Sequence, residues 1–458
     1  MRTKKTGEPK IPTIMVVFGV TGDLMQKKIT PALFNLFKND SLPERFKVIG
    51  FARRDLSDKD FKEKIAGMFD KVVPDFLSLF GYERGFFEKK KDYIKLALRL
   101  KEIDKKWGMC SNKLFYLAVP PELYPEILKN LHSTGLSRPC GGPEEGWTRV
   151  IVEKPFGKDL KSAKFLDDLL RKLFREEQIY RIDHYLAKEM LQNILAFRFY
   201  NNLFEFVWGK KLIESVNIRL FESIGVEDRG GFYDGVGALR DVGQNHLLQM
   251  LALVTMDKPP RFTPEDIRRE RAKILSTLRI PSDRDIKKYT ARGQYDGYRL
   301  IKGVASDSNT ETYFKVRALL NHPRWRGVPI FMESGKNLGR SVKEIEINFR
   351  HETTYKNSLI IRMEPRETIT IDFWSKKPGR KMDLQKKIFT FNLRKPNRIH
   401  RTEEYEKLLS DCISDDQTLF VSSKEIEAMW RFIDPIIAGW AMGLSPLKRY
   451  KPGSLHVS

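Results

Sequence analysis

Residues 14–18 form a short, wholly apolar run, and Gly19-Val20-Thr21-Gly22-Asp23-Leu24 follows it without a break, ahead of a helix-patterned stretch from Met25 to Phe37. This order confines the chain to few folds. A strand apolar along its whole length is buried on both faces, and parallel neighbours require crossover helices to bring the chain back. The same strand–turn–helix layout aims backbone N–H groups and a helix N-terminus at an anion such as a pyrophosphate. Gly19 permits the tight turn and Gly22 lets the backbone approach a ligand closely. The third glycine of the usual dinucleotide fingerprint is absent. A second apolar run, Lys47 to Ala52, ends in Arg53-Arg54. An acid at this place favours NAD through the ribose hydroxyls, whereas a basic residue accommodates the extra phosphate of NADP. Arg53 therefore points to NADP, and Asp55, just beyond, leaves NAD open as a weaker alternative.

The apolar runs at 14–18, 47–52, 113–119 and 150–153 alternate with helical patterns, which predicts a parallel, doubly wound domain over residues 1–180. From 181 to 458 the pattern changes. Alternating runs at 213–222, 342–351, 358–363 and 368–373 predict a mainly antiparallel sheet, with helices at 190–206, 245–256 and 423–442 covering a face. The stretch 281–309, rich in polar residues, Gly and Asp, is expected to be a loop. A chain of 458 residues supports two such domains with ample core. Its three cysteines have neither metal-site spacing nor a disulfide framework, so no metal is expected and a reducing cytoplasm is. No apolar stretch has membrane length, so no membrane partner is expected.

Three segments concentrate the chemistry. In V-I-V-E-K-P-F-G, Pro155 stops an apolar strand and Lys154 emerges at its end. In R-I-D-H-Y-L-A-K-E (181–189), a helix beginning near Asp183 would put His184 and Lys188 on one face, a pair of cations suited to a phosphate. Asp183 would point elsewhere, as an acid/base partner should. In isolation such a run is more often a solvated helix start. The third segment, Asp241-Val242-Gly243-Gln244-Asn245-His246, leads into the apolar 247–253. Asp241 and Asn245 share a helical face and His246 is offset from them. A histidine heading an apolar helix is ordinarily a packed one. Here two of only seven histidines lie inside the densest polar motifs, which weights the balance towards catalysis.

Together these segments resemble the glucose-6-phosphate dehydrogenases. The motifs G-V-T-G-D-L-x-x-K-K, F-A-R-R, L-F-Y-L-A-V-P-P, V-E-K-P-F-G, R-I-D-H-Y-L-A-K-E, R-G-G-F-Y-D and R-D-V-G-Q-N-H-L-L-Q run in family order from Phe18 to about Pro259. G-V-P-I-F-M-E-S-G-K-N-L carries the likeness to Leu338. The resemblance implies oxidation of glucose 6-phosphate to 6-phosphogluconolactone with hydride transfer to NADP, the opening step of the oxidative pentose phosphate pathway. It implies a Rossmann-like NADP-binding domain followed by an α+β substrate-binding domain, and a homo-oligomer, dimer or tetramer, built through the large sheet. His246 resembles the general base and Asp183 the carboxylate that orients it. His184, Tyr185 and Lys188 resemble the sugar-phosphate grip, and Lys154 the lysine between cofactor and substrate. Glu222 and Asp241 resemble acceptors for sugar hydroxyls, and Lys336 a further substrate contact. Gly19, Thr21, Gly22, Asp23, Leu24, Arg53 and Tyr116 match the cofactor side.

The chain departs from the family pattern in places. Ala187 stands where Gly is common, Ser341 where a second basic residue is expected, and Glu364 where a glutamine is common. Arg340 could replace the missing cation after a one-residue shift, and an acid at 364 would repel a phosphate. The formal net charge of +23, from 83 Lys+Arg against 60 Asp+Glu, suits two polyanionic ligands by electrostatic steering. A nucleic-acid-binding protein is the non-enzymatic alternative, but the basic residues form no binding module, and none is expected as a partner. A glucose–fructose oxidoreductase type of enzyme would also carry a Glu-Lys-Pro turn, yet with the three-glycine fingerprint this chain lacks.

Overall fold

A computed structural model describes residues 11–71, 73–141, 146–201, 205–393 and 403–457. The apolar runs become the strands of a six-stranded parallel sheet: β1 (Thr13–Phe18), β2 (Phe46–Ala52), β3 (Phe80–Arg84), β4 (Asn112–Leu117), β5 (Thr148–Val152) and β6 (Ile179–Arg181). Their order is β3-β2-β1-β4-β5-β6, with every pairing parallel. All residues of β1, β4 and β5 are buried, which is why these strands read as continuous apolar runs and not as alternation. The strand order reverses between β1 and β4. In such sheets the ligand crevice lies beyond the C-terminal ends of the strands at that switch.

The chain forms two compact units that interleave in sequence. The first holds the described residues of Met1–Gly157, Lys164–His184 and Arg401–Val421; the second holds Lys158–Ala163, the described residues of Tyr185–His400, and those of Ser422–Ser458. A single division at residue 180 was expected. The first unit instead runs on to His184 and recovers a C-terminal segment. The reason is polar satisfaction at the β5–β6 edge. Arg149, on β5, donates to the Cys412 carbonyl at 2.6 Å and pairs with Asp415 at 2.7 Å. Tyr180 donates to Asp415 at 2.9 Å, and Val421 N–H donates to the Arg181 carbonyl at 3.0 Å. Without this segment, Arg149 would be a buried charge lacking its carboxylate, a costly state.

The second unit is built on a nine-stranded sheet: β7 (Ile213–Phe221), β8 (Thr290–Tyr295), β9 (Tyr313–Ala318), β10 (Ile330–Gly335), β11 (Val342–Phe349), β12 (Ser358–Glu364), β13 (Thr368–Lys376), β14 (Leu384–Asn392) and β15 (Leu447–Tyr450), in the order β14-β13-β12-β11-β7-β10-β9-β8-β15. Most neighbours are antiparallel, as expected, but β10 runs parallel to β7 and β15 to β8. Helices Glu189–Phe199, Leu248–Thr255, Pro264–Ser276 and Ser423–Ala441 supply the α part.

Three expectations need correction. The stretch 281–309 is not a loop: it holds the helix Asp283–Tyr289 and then β8. Ser282 and Asp285 form a capping box at that helix start, so the Asp-rich sequence is helix-initiating chemistry. The helix expected to reach Phe206 stops at Phe199, where the Asn201 amide donates to the Ala196 and Phe197 carbonyls and closes the last turn. The helix expected from Asn245 begins earlier, at Leu239, and its first nine residues are π-helical.

Candidate active site

Each unit carries its own group of the expected residues. In the first, Gly19 has φ +78° and donates to the Phe51 carbonyl at 3.0 Å. A Cβ built there would lie 2.5 Å from the Ala118 carbonyl oxygen, so glycine is required by both conformation and space. Gly22 N–H closes the turn on the Gly19 carbonyl at 2.9 Å, and Thr21, Asp23 and Leu24 lie at the start of the helical run with at least part of their surface open. Asp23 pairs with Lys27 one turn on, at 2.7 Å.

Arg53 and Arg54 are exposed just past β2. The Tyr82 hydroxyl lies 2.9 Å from the Ala52 carbonyl and 2.6 Å from the Arg54 carbonyl, holding the backbone on either side of Arg53. Asp55, the residue that left the cofactor choice open, pairs with Arg84 at 2.9 Å.

Tyr116 is not at the surface. It is fully buried and donates its hydroxyl to Glu153 at 2.6 Å, beneath the Glu-Lys-Pro turn. Tyr405, from the recovered C-terminal segment, donates to the same carboxylate oxygen at 3.1 Å. Burial raises the Glu153 carboxyl above its usual range, while the two phenols and the Lys154 charge pull it back. Lys154 thus follows a residue anchored three ways, since Tyr124 also meets the Glu153 backbone carbonyl at 3.2 Å. The Lys154–Pro155 bond is cis. Asp183, 1% exposed, and His184 close this unit just past β6, and the His184 ring stacks near Tyr405 with centroids 6.5 Å apart.

The helical argument for pairing His184 with Lys188 does not hold. The helix begins at Glu189 with Lys188 as its N-cap, and the residues before it form turns, with Lys188 N–H donating to the Tyr185 carbonyl at 2.9 Å. The charged and polar residues at the head of the segment favour the turn over an early helix start.

In the second unit, Tyr185 and His246 stack face to face with centroids 4.0 Å apart, and both are buried. His246 lies in the π-helical stretch Leu239–Leu247. Single π turns inside α-helices recur at functional sites, because the wider i→i+5 ladder re-aims side chains that α geometry would place elsewhere. Asn245 donates to the Asp241 carbonyl at 3.0 Å within this stretch.

Glu222 and Asp241 converge on Lys336, whose ammonium is 2.6 Å from the former and 3.6 Å from the latter. The same ammonium lies 5.3 Å from the centroid of the buried Tyr233 ring. Two carboxylates and a lysine in one place offer both acceptors and a donor for neighbouring sugar hydroxyls.

Lys188 meets Glu364 at 3.6 Å, and Lys343 meets the same carboxylate at 2.9 Å. Both ammoniums also lie over the Tyr185 ring, at 5.2 and 5.6 Å from its centroid. Lys343 was not picked out by sequence, because a lysine in an alternating strand reads as an ordinary solvent-facing residue. Arg340, proposed from the sequence as the second cation, is exposed with its guanidinium 5.8 Å from the Phe221 ring centroid; Ser341 bonds Ser223 at 2.9 Å.

Family models match nearly the whole chain: residues 16–193 match "Glucose-6-phosphate dehydrogenase, NAD binding domain" and residues 195–457 match "Glucose-6-phosphate dehydrogenase, C-terminal domain". The chain is 38% identical to glucose-6-phosphate 1-dehydrogenase 2 of Mycobacterium tuberculosis over 465 residues, covering 95% of this chain and 90% of that protein. It is 40% identical to glucose-6-phosphate 1-dehydrogenase of Aggregatibacter actinomycetemcomitans over 453 residues, covering 94% and 91%. Its fold is similar to a solved glucose-6-phosphate dehydrogenase in complex with its substrate glucose-6-phosphate, with TM-score 0.89, 34% identity, and 99% and 97% of the two chains covered.

Proposed function

The chain belongs to the glucose-6-phosphate dehydrogenase family, and we propose that His246 is its general base and Asp183 the carboxylate that orients it. The reaction is oxidation of glucose 6-phosphate to 6-phosphogluconolactone with hydride transfer to NADP, the first step of the oxidative pentose phosphate pathway. The cofactor supplies the hydride acceptor. What the chain must do is bind the sugar, hold its anomeric hydroxyl and accept one proton. As C1 loses hydride, the hydroxyl proton passes to the imidazole nitrogen of His246, and the C1–O bond gains carbonyl character. A carboxylate partner keeps the histidine in one tautomer and favours its protonated form, the role proposed for Asp183. The observation that most supports His246 is its setting: a buried imidazole, stacked on Tyr185, in a helical stretch widened to π geometry.

In this reading Lys336, Glu222 and Asp241 hold sugar hydroxyls, while His184, Tyr185 and Lys188 serve the phosphate. Gly19, Thr21, Gly22, Asp23 and Leu24 seat the pyrophosphate, Arg53 reads the 2′-phosphate, and Lys154 serves both ligands. The residues present fit NADP: a turn in which Gly19 leaves no room for a Cβ, and exposed guanidiniums past β2. The oxidoreductase alternative with a three-glycine fingerprint is disfavoured by the two-glycine turn and by full-length likeness to this family.

Among the described residues no helix is long and apolar enough to cross a membrane. Three free cysteines support placement in a reducing cytoplasm. A homo-oligomer through the large sheet is supported by its edge strand β14, where Ile388, Phe389 and Phe391 are 60–64% exposed. Light scattering of the purified protein tests this, and a monomer would refute it. The function itself is tested by initial rates of nicotinamide reduction, with NADP or NAD, on glucose 6-phosphate and on glucose. Preference for the phosphorylated sugar and for NADP is the expected result. Equal rates on both sugars would overturn the assignment of the phosphate residues.

A further inference from the structure

A second group of cations lies in the first unit, away from the glycine turn and Arg53. Lys47 is the second residue of β2, Ser78 stands just before β3, and Lys106 is in the last turn of the helix Lys90–Trp107, which leads into β4. All three mark the N-terminal ends of the parallel strands, whereas the cofactor crevice lies beyond the C-terminal ends. Lys47 and Ala52, near the two ends of β2, are five rises of about 3.3 Å apart, or roughly 16 Å. Side chains of that helix, of the helix Asp58–Ala66 and of β2 and β3 line a cavity of about 600 Å³. Such a volume suits a small organic ligand. The lining follows from sequence spacing: Lys95, Arg99, Glu102 and Lys106 share one helical face, and Asp58 and Lys62 share a face of the other helix. Gly81 admits the Arg99 guanidinium to the strand, since a Cβ there would lie 2.7 Å from it.

Five basic side chains and three acidic ones line the cavity. Two of the acids are engaged by one guanidinium: Arg99 holds both oxygens of Asp58 at 2.8 Å and Glu83 at 3.3 Å. Lys95 reaches Asp92, outside the lining, at 3.9 Å. Among the described residues Lys47, Lys62 and Lys106 have no carboxylate within ion-pairing distance, and Lys47 donates to the Ser78 carbonyl. Glu102, the remaining acid, is exposed and equally without a cation at that distance. An exposed lysine in this state is an ordinary solvated residue. Lys47 is different, because its side chain is half-buried. Burial, and then the charge of Lys62, lower its ammonium from the usual lysine range; Asp58 opposes the effect and Lys106 adds to it. Three cations around one space, without carboxylates of their own, repel one another, and an anion in that space relieves the repulsion.

We propose that this cavity binds a small polyphosphate anion, held by Lys47, Lys62 and Lys106, and that it shares no residue with the cofactor or sugar groups described above. A polyphosphate suits it better than a single phosphate, because successive phosphates present acceptor oxygens to ammoniums arriving from a strand and two helices. Arg99, already held by Asp58 and Glu83, shapes the wall and is not a ligand. Beside the charges the wall is apolar: Ile49 and Phe80 are buried, and Leu98 is 56% exposed. A nucleoside carried by the phosphates would have this wall for its base, which an inorganic polyphosphate would leave unused. The net charge of +23 draws such anions towards the chain. Since the ligand binds the folded protein, occupancy raises the melting temperature with the logarithm of its concentration.

The test is calorimetric titration of inorganic pyrophosphate, and separately of ADP, into the full-length protein saturated with NADPH and glucose 6-phosphate. Those two fill the cofactor and sugar sites and do not react with each other, so heat from the titrant reports a further site. Wild type should bind one equivalent. Lys47→Met should weaken binding about tenfold, as loss of a charge-assisted hydrogen bond does. Lys62→Met and Lys106→Met, at more open positions, should each weaken it roughly two- to fivefold. Glu102→Gln should tighten it by a similar factor, because it removes a repelling charge and keeps the shape. Lys287→Met, an exposed lysine of the second unit, controls for net charge and should bind as wild type does. Tighter binding of ADP than of pyrophosphate assigns the site to a nucleotide, and equal binding assigns it to inorganic polyphosphate. Absence of binding to the saturated wild type, equal losses in Lys47→Met and Lys287→Met, or weaker binding by Glu102→Gln would each overturn the proposal. Should Lys47→Met fail to fold, Lys62→Met and Glu102→Gln still decide, since they change surface charge in opposite directions.

Discussion

Replacing Arg53 with Ala should convert a cofactor preference into near indifference. The magnitude follows from the surroundings of the residue. Among the described residues Arg53 has no carboxylate within ion-pairing distance, while its neighbour Asp55 is engaged by Arg84 at 2.9 Å. The backbone on both sides of Arg53 is held by the Tyr82 hydroxyl at 2.9 and 2.6 Å. The guanidinium is therefore available to a 2′-phosphate, and truncating it should leave the loop in place. A hydrogen bond to a charged group is worth about 1.5–3 kcal/mol, and exposure to solvent favours the lower part of that range. At about 1.4 kcal/mol per tenfold, KM for NADP should rise roughly ten- to a hundredfold, while NAD, lacking the phosphate, changes little. Arg84→Ala should act in the same direction for a different reason. It releases Asp55, which then repels the 2′-phosphate and can accept the ribose hydroxyls of NAD. Steady-state kinetics with both cofactors on the two variants and on Arg84→Ala/Asp55→Asn provide the assay. The double variant should regain NADP preference. Equal losses for NADP and NAD in Arg53→Ala would refute the reasoning and make Arg53 a structural residue.

Lys336→Met should raise KM for glucose 6-phosphate and for glucose alike, about tenfold, because it leaves Glu222 and Asp241 facing without their shared cation; a loss confined to the phosphorylated sugar would move Lys336 to the phosphate end. Gly19→Ala should destabilise the fold by about 1–2 kcal/mol from its left-handed conformation alone, with overlap on the Ala118 carbonyl adding to it, and an unchanged denaturation midpoint would contradict this. Asp411 is buried, with one carboxylate oxygen lacking a hydrogen-bond partner among the described residues, and burial pushes its carboxyl up to about 6 from an ordinary 3.8. An acid with a raised folded pKa contributes stability fully below its unfolded value and loses it as pH rises through the folded one. Asp411→Asn should therefore match wild type below pH 3.8 and exceed it above about 6. That rise sets a ceiling of about 3 kcal/mol, less whatever Lys407 loses as its partner. Parallel melting-temperature profiles across this range would contradict it.

Much of the first unit was legible because a strand buried on both faces is mostly apolar, with its polar residues near the N-terminal end, so β1, β2, β4 and β5 stand out as apolar runs close to their true places. The alternation of β7, β11 and β12 was legible for the complementary reason. The return of the segment ending at Val421 to the first unit was not. Its ties are single long-range bonds, such as Arg149 to Asp415 and Tyr405 to Glu153, and no local period encodes them. Individual motifs suggested chemistry but misjudged conformation. Residues 184–187 form turns where a helix was expected, and the π geometry around His246 has no signature in a pattern counted at 3.6 residues per turn. Lys343 was missed because the meaning of that lysine lies in what faces it across the ladder, Glu364, and not in its neighbours along the chain.

Proton removal by His246 is the central claim, and it is tested most directly by measuring kcat for His246→Asn beside the equilibrium affinity of the same variant for glucose 6-phosphate. Loss of a general base costs about 10²–10⁴-fold in rate, so kcat should fall by at least that much while the dissociation constant stays within about threefold of wild type. A folded His246→Asn protein that turns over near the wild-type rate, or that loses affinity in place of rate, would contradict the account.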